Sequence, residues 1–347
     1  MKKALPAAAA GIVLVLVTLR TAGDLNYWRW YSASIGGMGA EAGAALISPR
    51  IAIRGEASGV PRATPEAESV LPEALAVARE EAAKRGAQAV IVHRHGHRVF
   101  EYFSAGRNGV VQVSGGQLAA LPFALALGTL ADNGRVPFDK AVQALRDAMP
   151  PITGWRNPWS AAAHARFGLR PAPPLLLQDA DGDVADTLAQ RVWLPLHAGP
   201  AYIWGRDDKA LRVDCCMVAR VDDWMRLGDL LLAQGTYEGE RLASPDWLRK
   251  LLPRDSEGRA QPVWLARQVP WQGAEPPAER DVYWFDLGQD IRLWLAPRRG
   301  LSVLVWADGG NARDTFLPNI ILRGLNDQAP PIDGTGLNEL VPGHDSK

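Results

Sequence analysis

Ser114 and Gln117 lie three residues apart, ahead of a long apolar stretch, at a spacing that can activate a serine. A serine hydroxyl is a weak nucleophile until a neighbouring base takes its proton. On a helix, the residue three positions on lies one turn away on the same face. An amine there can be the base once its pKa falls from roughly 10. The Gln117 amide does not titrate, so the pair predicts a nucleophile position without its general base.

The residues around the serine also weaken the helix that would carry it. Gly115 and Gly116 fall in its first turn, where a glycine costs up to roughly 1 kcal/mol relative to alanine. Pro122 lies far enough inside to remove the hydrogen bond to the Leu118 carbonyl. A second interpretation therefore stays open, in which the Ser-Gly-Gly sequence is a loop and Ser114 only caps a buried helix.

The surrounding sequence resembles the β-lactamase-related serine hydrolases. Ser114-Gly115-Gly116-Gln117 leads into the apolar run Leu118 to Leu130 and then into Ala131-Asp132-Asn133-Gly134-Arg135-Val136. This layout is similar to the nucleophile helix of penicillin-binding proteins, class C β-lactamases, esterases and 6-aminohexanoate-dimer hydrolases, where the motif is Ser-x-x-Lys. The segments that start at Asp214 and Tyr237 resemble the esterase and 6-aminohexanoate-hydrolase branch. In this chain glutamine replaces the lysine.

The resemblance covers about residues 71–327 and implies an α+β fold of the β-lactamase/transpeptidase type. In that fold the N- and C-terminal segments build one antiparallel sheet flanked by helices, and the middle, about residues 114–252, is a reduced all-helical subdomain. Hydrophobic periodicity and capping residues predict helices at Leu71–Arg85, Ala185–Trp193 and Val221–Gln234, helix starts at Ser244-Pro245 and Thr315, and hairpins at Ala89–Phe103 and Ile291–Trp306.

Two further motifs of the family are altered. The family places a catalytic Tyr-x-Asn in the middle subdomain, but the corresponding stretch here, Pro173 to Asp179, contains no tyrosine. A third motif, of small or basic residues, lines the site on a strand that often runs into Gly-Gln. Here Asp286 and Leu287 precede Gly288 and Gln289, so the resemblance implies that Asp286, Gly288 and Gln289 line the site.

Asp286 matters for the electrostatics of that site. The backbone N–H of Ser114 and one from the strand of Asp286 could form an oxyanion hole. A carboxylate that points inward would oppose the negative charge held there. The alternative is an Asp286 side chain that faces outward.

His93, His95 and His97 form an alternating triplet. On one continuous strand all three would share a face and could bind zinc. His95-Gly96 is, however, a plausible two-residue hairpin turn. His93 would then pair with Arg98, and His97 with Arg94, so the outer two histidines would face opposite sides. The sequence therefore predicts no metal site, and nothing in it implies a cofactor.

Composition excludes other classes. The 347 residues contain 38 lysines and arginines against 38 acidic residues, which gives zero net charge. This balance, without a basic run, argues against a nucleic-acid partner. Cys215 and Cys216 are the two cysteines; neighbours rarely bridge each other, so no disulfide framework is predicted.

The N-terminus, residues 1–24, is predicted to be an uncleaved signal-anchor. Lys2 and Lys3 precede an apolar run from Ala4 to Leu19, and no clear small-x-small cleavage site follows. We expect an extended arm over residues 25–70, a domain that faces the periplasm from the bacterial inner membrane, and a disordered tail over residues 328–347. A cleaved signal and a soluble periplasmic protein are the alternative, and the bacterial origin is implied by the resemblance.

These features together predict a binding domain that derives from a serine hydrolase and lacks efficient acyl-enzyme chemistry. Its ligand would be a small molecule or a peptidoglycan-derived peptide. The alternative is a residual serine hydrolase, an esterase or amidase that acts through Ser114. A zinc-binding export protein that uses the histidine triplet is a third class. The sequence does not indicate the oligomeric state.

Overall fold

The computed structural model describes residues 39–45, 50–142, 183–205, 217–251, 278–279, 282–288, 290–307, 312 and 314–327. The predicted anchor and tail, the Pro173–Asp179 stretch, the two cysteines and Gln289 lie outside these residues. Within the described ranges, no helix has the length and apolar character needed to cross a bilayer.

The described elements follow one another along the chain as α1 (Ala40–Ala45), β1 (Arg50–Ile53), α2 (Pro72–Lys84), β2 (Ala87–Arg94), β3 (His97–Phe103), β4 (Gln112–Ser114), α3 (Leu121–Asp132), α4 (Val184–Leu188), β5 (Ala201–Trp204), β6 (Met217–Arg220), α5 (Val221–Leu232), β7 (Thr236–Tyr237), β8 (Glu240–Arg241), α6 (Pro245–Leu251), β9 (Tyr283–Asp286), β10 (Ile291–Ala296), β11 (Leu301–Ala307) and α7 (Phe316–Arg323). A 3₁₀ segment, Gly116–Ala120, precedes α3, and a π-helical turn, Ala189–Trp193, follows α4.

The terminal segments build one five-stranded antiparallel sheet in the order β3-β2-β11-β10-β9, as predicted. Helices α2 and α7 pack on one face, where apolar residues at helical spacing, Leu75, Ala78 and Ala82, are buried. Helix α5 packs against the other face, on β10 and β11. The α+β architecture is therefore confirmed.

The first hairpin has the predicted register. His93 pairs with Arg98 and Arg94 pairs with His97. His95 and Gly96 have φ of 48° and 82°, as a two-residue turn of type I′ requires. His93 and His97 consequently face opposite sides of the sheet. In the part of the chain that the structure describes, no three His, Cys, Asp or Glu residues are grouped so as to hold a metal ion.

A second antiparallel sheet corrects the prediction for the middle of the chain. Its four strands run in the order β1-β5-β6-β4, so three strands lie between residues 112 and 220, where an all-helical subdomain was predicted. Strand β1 comes from the predicted arm over residues 25–70, and it is built into this sheet through β5. These strands have three or four residues each, too few for a period-two pattern to stand out.

The helix-start signals have mixed outcomes. Ser244 caps α6 as predicted, since its Oγ accepts a hydrogen bond from the Trp247 N–H at 3.1 Å. Thr315 precedes α7 but makes no side-chain cap. The carboxylate of Asp314 accepts the Phe316 N–H instead, at 3.0 Å. An aspartate directly before the predicted cap was the signal that the sequence analysis missed.

Candidate functional site

Ser114 is the last residue of strand β4 and does not open a helix. It lies opposite Val218 of β6, and the 3₁₀ segment begins two residues later, at Gly116. Ser114 and Gln117 therefore do not occupy successive turns of one α-helix. The capping interpretation is also incomplete, because the N-cap of the 3₁₀ segment is Gly115. Pro122 is tolerated because it falls in the first turn of α3, where its missing N–H would have no helical partner.

The two glycines after the serine let three elements approach closely. A Cβ on Gly115 would lie 2.3 Å from the Trp224 ring of α5. A Cβ on Gly116 would lie 2.3 Å from the Asp286 carbonyl oxygen of β9, and Gly116 has a φ of +49°. These glycines allow the segment around Ser114 to pack closely against α5 and β9. The sequence analysis treated them only as residues that weaken a helix and did not predict this packing role. The site therefore does bring Ser114 and Asp286 into the same region.

Among the described residues, the Ser114 hydroxyl has one weak hydrogen-bond partner. Its Oγ accepts a hydrogen bond from the Gly116 N–H at 3.4 Å, near the long limit of such bonds. No lysine or tyrosine side chain within the described ranges hydrogen-bonds to it. Tyr202 lies under the Arg50 guanidinium instead, and the Tyr237 hydroxyl accepts a hydrogen bond from Arg226. The Gln117 side chain lies outside the described part, whereas its backbone belongs to the 3₁₀ segment.

The Ser114 backbone amide points away from its partner strand. The hydrogen bonds from Val221 N to the Val111 oxygen (3.1 Å) and from Gly115 N to the Met217 oxygen (2.8 Å) mark the hydrogen-bonded pairs of the β4–β6 ladder. Because such pairs alternate along an antiparallel ladder, Ser114 stands at a non-hydrogen-bonded position. Its N–H is consequently turned away from β6, past the edge of the sheet.

The backbone N–H and C=O of Asp286 also point away from the neighbouring strand. The Leu287 N–H donates to the Ile291 oxygen at 3.0 Å, so the same alternation places Asp286 at a non-hydrogen-bonded position of the β9–β10 ladder. Its carbonyl faces Gly116. Its N–H leaves the strand on the same side, because strand β9 is an edge of the five-stranded sheet. The close contact between Gly116 and Asp286 brings the ends of strands β4 and β9 together, and we call the place where they meet the Ser114 gap.

The Asp286 carboxylate lies on the opposite face of the sheet. Its Oδ1 accepts a hydrogen bond from the Arg292 Nε at 2.7 Å. The Arg292 guanidinium lies 4.9 and 5.0 Å from the ring centroids of Trp284 and Trp294, which pack with α2 and α7. The outward orientation is therefore the correct alternative, and this charge does not oppose an anion in the Ser114 gap.

Apolar bulk occupies the site-facing side of β9. Phe285 and Leu287 are 1% and 0% exposed and belong to the core cluster that contains Leu118 and Leu121. The family pattern has small residues at the Leu287 position. Gly288 is half-buried with a φ of 156°, while Gln289 lies outside the described residues. The face of β9 that would border a substrate is therefore part of the hydrophobic core.

Comparisons with known proteins give matches among solved structures. No protein-family model and no curated protein matches the chain. A protein from Bacillus anthracis named as a 6-aminohexanoate-dimer hydrolase has 14% identity and a TM-score of 0.52, over 81% of this chain and 90% of that one. SurE, solved with D-Leu, has 16% identity and a TM-score of 0.50, over 77% and 79%. A penicillin-binding-protein homologue from Caulobacter crescentus has 15% identity and a TM-score of 0.48, over 73% and 97%.

The fold is of the β-lactamase/transpeptidase type. Since these identities are so low, the likeness concerns the fold alone, and any statement about chemistry has to come from the residues of this chain.

This β-lactamase-like domain also holds a buried polar cluster of four residues. The Asp229 carboxylate of α5 accepts hydrogen bonds from the His93 Nδ1 at 2.6 Å and from the Ser302 Oγ at 2.7 Å. The Arg98 Nε lies 3.2 Å from the His93 Nε2. Because Arg98 can only donate, His93 Nε2 must be the acceptor, which fixes its proton on Nδ1. We call this group the Asp229 cluster.

The Asp229 cluster has the residue types of a catalytic triad but not its order. In a triad, histidine stands between serine and aspartate so that it can take the serine proton. Here the carboxylate stands between the other two, and Ser302 and His93 are both 0% exposed. The cluster therefore joins helix α5 to strands β2 and β11 rather than performing catalysis. Sequence reasoning considered His93 only as a metal ligand and missed this role.

Proposed function

We propose that this chain is an exported, membrane-anchored domain of β-lactamase-like fold that binds a ligand at the Ser114 gap and turns it over poorly or not at all. The observation that carries the proposal is the seat of Ser114: it lies on a strand, with one 3.4 Å contact from a backbone amide. Among the described residues no side-chain base hydrogen-bonds to this hydroxyl, so it keeps its proton. Loss of general-base assistance lowers rates by about 10²- to 10⁴-fold, and by more where groups act as a unit.

Retained binding groups support the ligand part of the proposal. The outward amides of Ser114 and Asp286 are suited to a carbonyl or carboxylate oxygen. The Asp286 carboxylate is neutralised by Arg292 on the other face. A small acyl compound or a peptide with a free carboxylate, such as a peptidoglycan stem peptide, has the required chemistry.

Residual hydrolysis is the second candidate function, and the same two amides favour it. When the catalytic side chains of a serine hydrolase are removed, an oxyanion hole and binding can leave about 10³- to 10⁴-fold acceleration over water. An ester with a good leaving group would be the substrate that needs least proton transfer.

Activity-based labelling tests the proposal. We expect neither a fluorescent penicillin nor a fluorophosphonate to label the wild type, and we expect Gln117→Lys to stay unlabelled too, because a lysine there would not stand one helical turn from Ser114. The control for the chemistry is Ser114→Ala. Labelling of the wild type that disappears in Ser114→Ala would establish the second candidate instead, and labelling of Gln117→Lys alone would locate the whole defect at position 117.

Binding is tested separately from turnover. A stem peptide that ends in a carboxylate should shift the amide resonances of Ser114 and Gly116, and its C-terminal amide analogue should shift them less. The absence of any shift at millimolar peptide would contradict binding at the gap while leaving the labelling result intact.

The membrane anchor is a further part of the proposal, supported by the apolar run from Ala4 to Leu19 and the lysines before it. After fractionation of cells, the full chain should be recovered with inner membranes and should resist extraction at high salt. Recovery of a shortened chain in the periplasmic fraction would indicate a cleaved signal.

A further inference from the structure

Helix α1 lies against β4, the strand that ends at Ser114. Its residues Gly43 and Ala44 are buried, although the helix has only six residues. A helix this short is not stable in isolation, so its contacts with the domain hold it in place. These contacts therefore determine the equilibrium between α1 packed on β4 and α1 detached from it.

An ion pair fixes the first turn of α1. The Glu41 carboxylate pairs with Arg107, which lies in the connection between β3 and β4. The Arg107 guanidinium also lies 4.7 Å from the ring centroid of Trp306, which orients it. The two charged side chains are 45% and 27% exposed, and pairs as exposed as this change an equilibrium by up to about fivefold.

Gly39 brings the start of the same segment against the connection between β9 and β10. A Cβ on Gly39 would lie 2.6 Å from Asp290 Oδ2, in the connection from β9 to β10. Asp290 is held in turn, since it accepts hydrogen bonds from the Trp306 Nε1 at 3.1 Å and from the Ala307 N–H at 2.8 Å. Residues 39–45 therefore contact both the strand of Ser114 and the connection that follows Asp286.

We propose that residues 39–45 act as an intramolecular cover that limits access to the Ser114 gap and opens when the Glu41–Arg107 pair breaks. The segment contacts both strand β4 and the connection that follows β9, which are the two elements on either side of the gap. The contacts that hold it there are weak. Low-cost local opening is the behaviour expected of a short element with one exposed ion pair. The cover does not require Ser114 to react, so it stands apart from the proposed function.

Hydrogen–deuterium exchange at the Ser114 amide tests the cover directly. This N–H is turned out of the β4–β6 ladder, so its exchange reports solvent access more than the stability of the sheet. Glu41→Arg should accelerate exchange at Ser114 by about two- to fivefold, because it replaces an attraction by a repulsion. The charge swap Glu41→Arg/Arg107→Glu should bring the rate back toward that of the wild type.

The controls separate opening of the cover from general damage. Glu73→Arg, an exposed change in the first turn of α2, should leave Ser114 exchange unaltered, as should any change that spares α1. Amides of α5 should keep their protection in Glu41→Arg; if they lose it, the isosteric Glu41→Gln gives the decisive rate. Unchanged Ser114 exchange in Glu41→Arg or in that milder variant, or a charge swap that fails to restore it, would overturn the proposal.

Discussion

The Asp229 cluster and the Ser114 gap are two polar regions that border helix α5, and they differ in how completely their groups are paired. In the cluster, each Asp229 carboxylate oxygen accepts a hydrogen bond shorter than 2.8 Å, and both nitrogens of His93 have partners. In the gap, the Ser114 hydroxyl has one contact of 3.4 Å. Among the described residues, the polar groups of the Asp229 cluster are thus paired tightly, whereas the Ser114 hydroxyl is paired weakly.

The two regions differ because an unpaired polar group destabilises the folded state by a different amount in each of them. A buried donor or acceptor without a partner costs about 1–3 kcal/mol, so the cluster cannot lose a member without a loss of stability. A half-buried hydroxyl that never transfers a proton costs little. The stability of the fold therefore depends more on the cluster than on the Ser114 hydroxyl.

The largest expected effect is that of Asp229→Ala. It leaves the His93 Nδ1–H and the Ser302 hydroxyl buried without an acceptor, and we expect a loss of about 3 kcal/mol in the free energy of unfolding. Urea denaturation measures it. Ser302→Ala removes one donor only and should cost about 1 kcal/mol. Equal losses for the two variants would mean that the carboxylate is not the centre of the cluster.

Gly116→Ala should have the next largest effect. Its φ of +49° is strained for alanine, and its new Cβ would meet the Asp286 carbonyl oxygen at 2.3 Å. Overpacking of this kind costs about 1–3 kcal/mol beyond the backbone strain. Gly134→Ala is the matched control, because Gly134 has a φ of +69° with nothing within 4 Å. If the two variants unfold at the same urea concentration, the close approach of β9 is wrong.

Tyr237 gives a pH-dependent prediction. Burial raises the pKa of its hydroxyl from 10.0 to about 12. The unfolded chain therefore loses this proton at a lower pH than the folded protein, so the contribution of Tyr237 is complete below pH 10 and is lost as the pH rises toward 12. Tyr237→Phe should flatten the alkaline loss of stability over that window. A profile parallel to that of the wild type would show that the hydroxyl is not buried as described.

The smallest expected effect is that of Ser114→Ala. With a single weak partner, the hydroxyl contributes little, and we expect a change within about 0.5 kcal/mol of the wild-type stability. A loss above 1.5 kcal/mol would reveal a partner for the hydroxyl and would remove the contrast between the two regions.

Local patterns predicted the sheet and its hairpins well. The register of the first hairpin follows from His95-Gly96, because a two-residue turn leaves one way to pair the flanking residues. The pairing of β10 with β11 around Pro297 and Gly300 follows in the same way. Alternation and turn chemistry act over a few neighbouring residues, so a single sequence contains them.

The position of Ser114 at the end of a strand was harder to predict, since it depends on contacts between residues that are distant in sequence. Gly115 and Gly116 looked like poor helix formers, but Trp224 and Asp286 decide their role, and these lie over a hundred residues away. The direction of the Asp286 side chain likewise depends on Arg292 and two tryptophans on the far side of the sheet. Short strands such as β4 and β5 gain their pairing from the tertiary fold.

The indole of Trp224 packs on Gly115 and donates to the Val113 carbonyl oxygen at 3.3 Å, so one aromatic ring sets the shape of the backbone before and after Ser114. A mutant library that randomises positions 115 and 117 alone should return glycine at 115 in nearly every folded clone. Only when position 224 is varied at the same time would larger residues become acceptable there. A larger residue at position 115 therefore requires a simultaneous change in helix α5 and cannot be reached by one substitution alone.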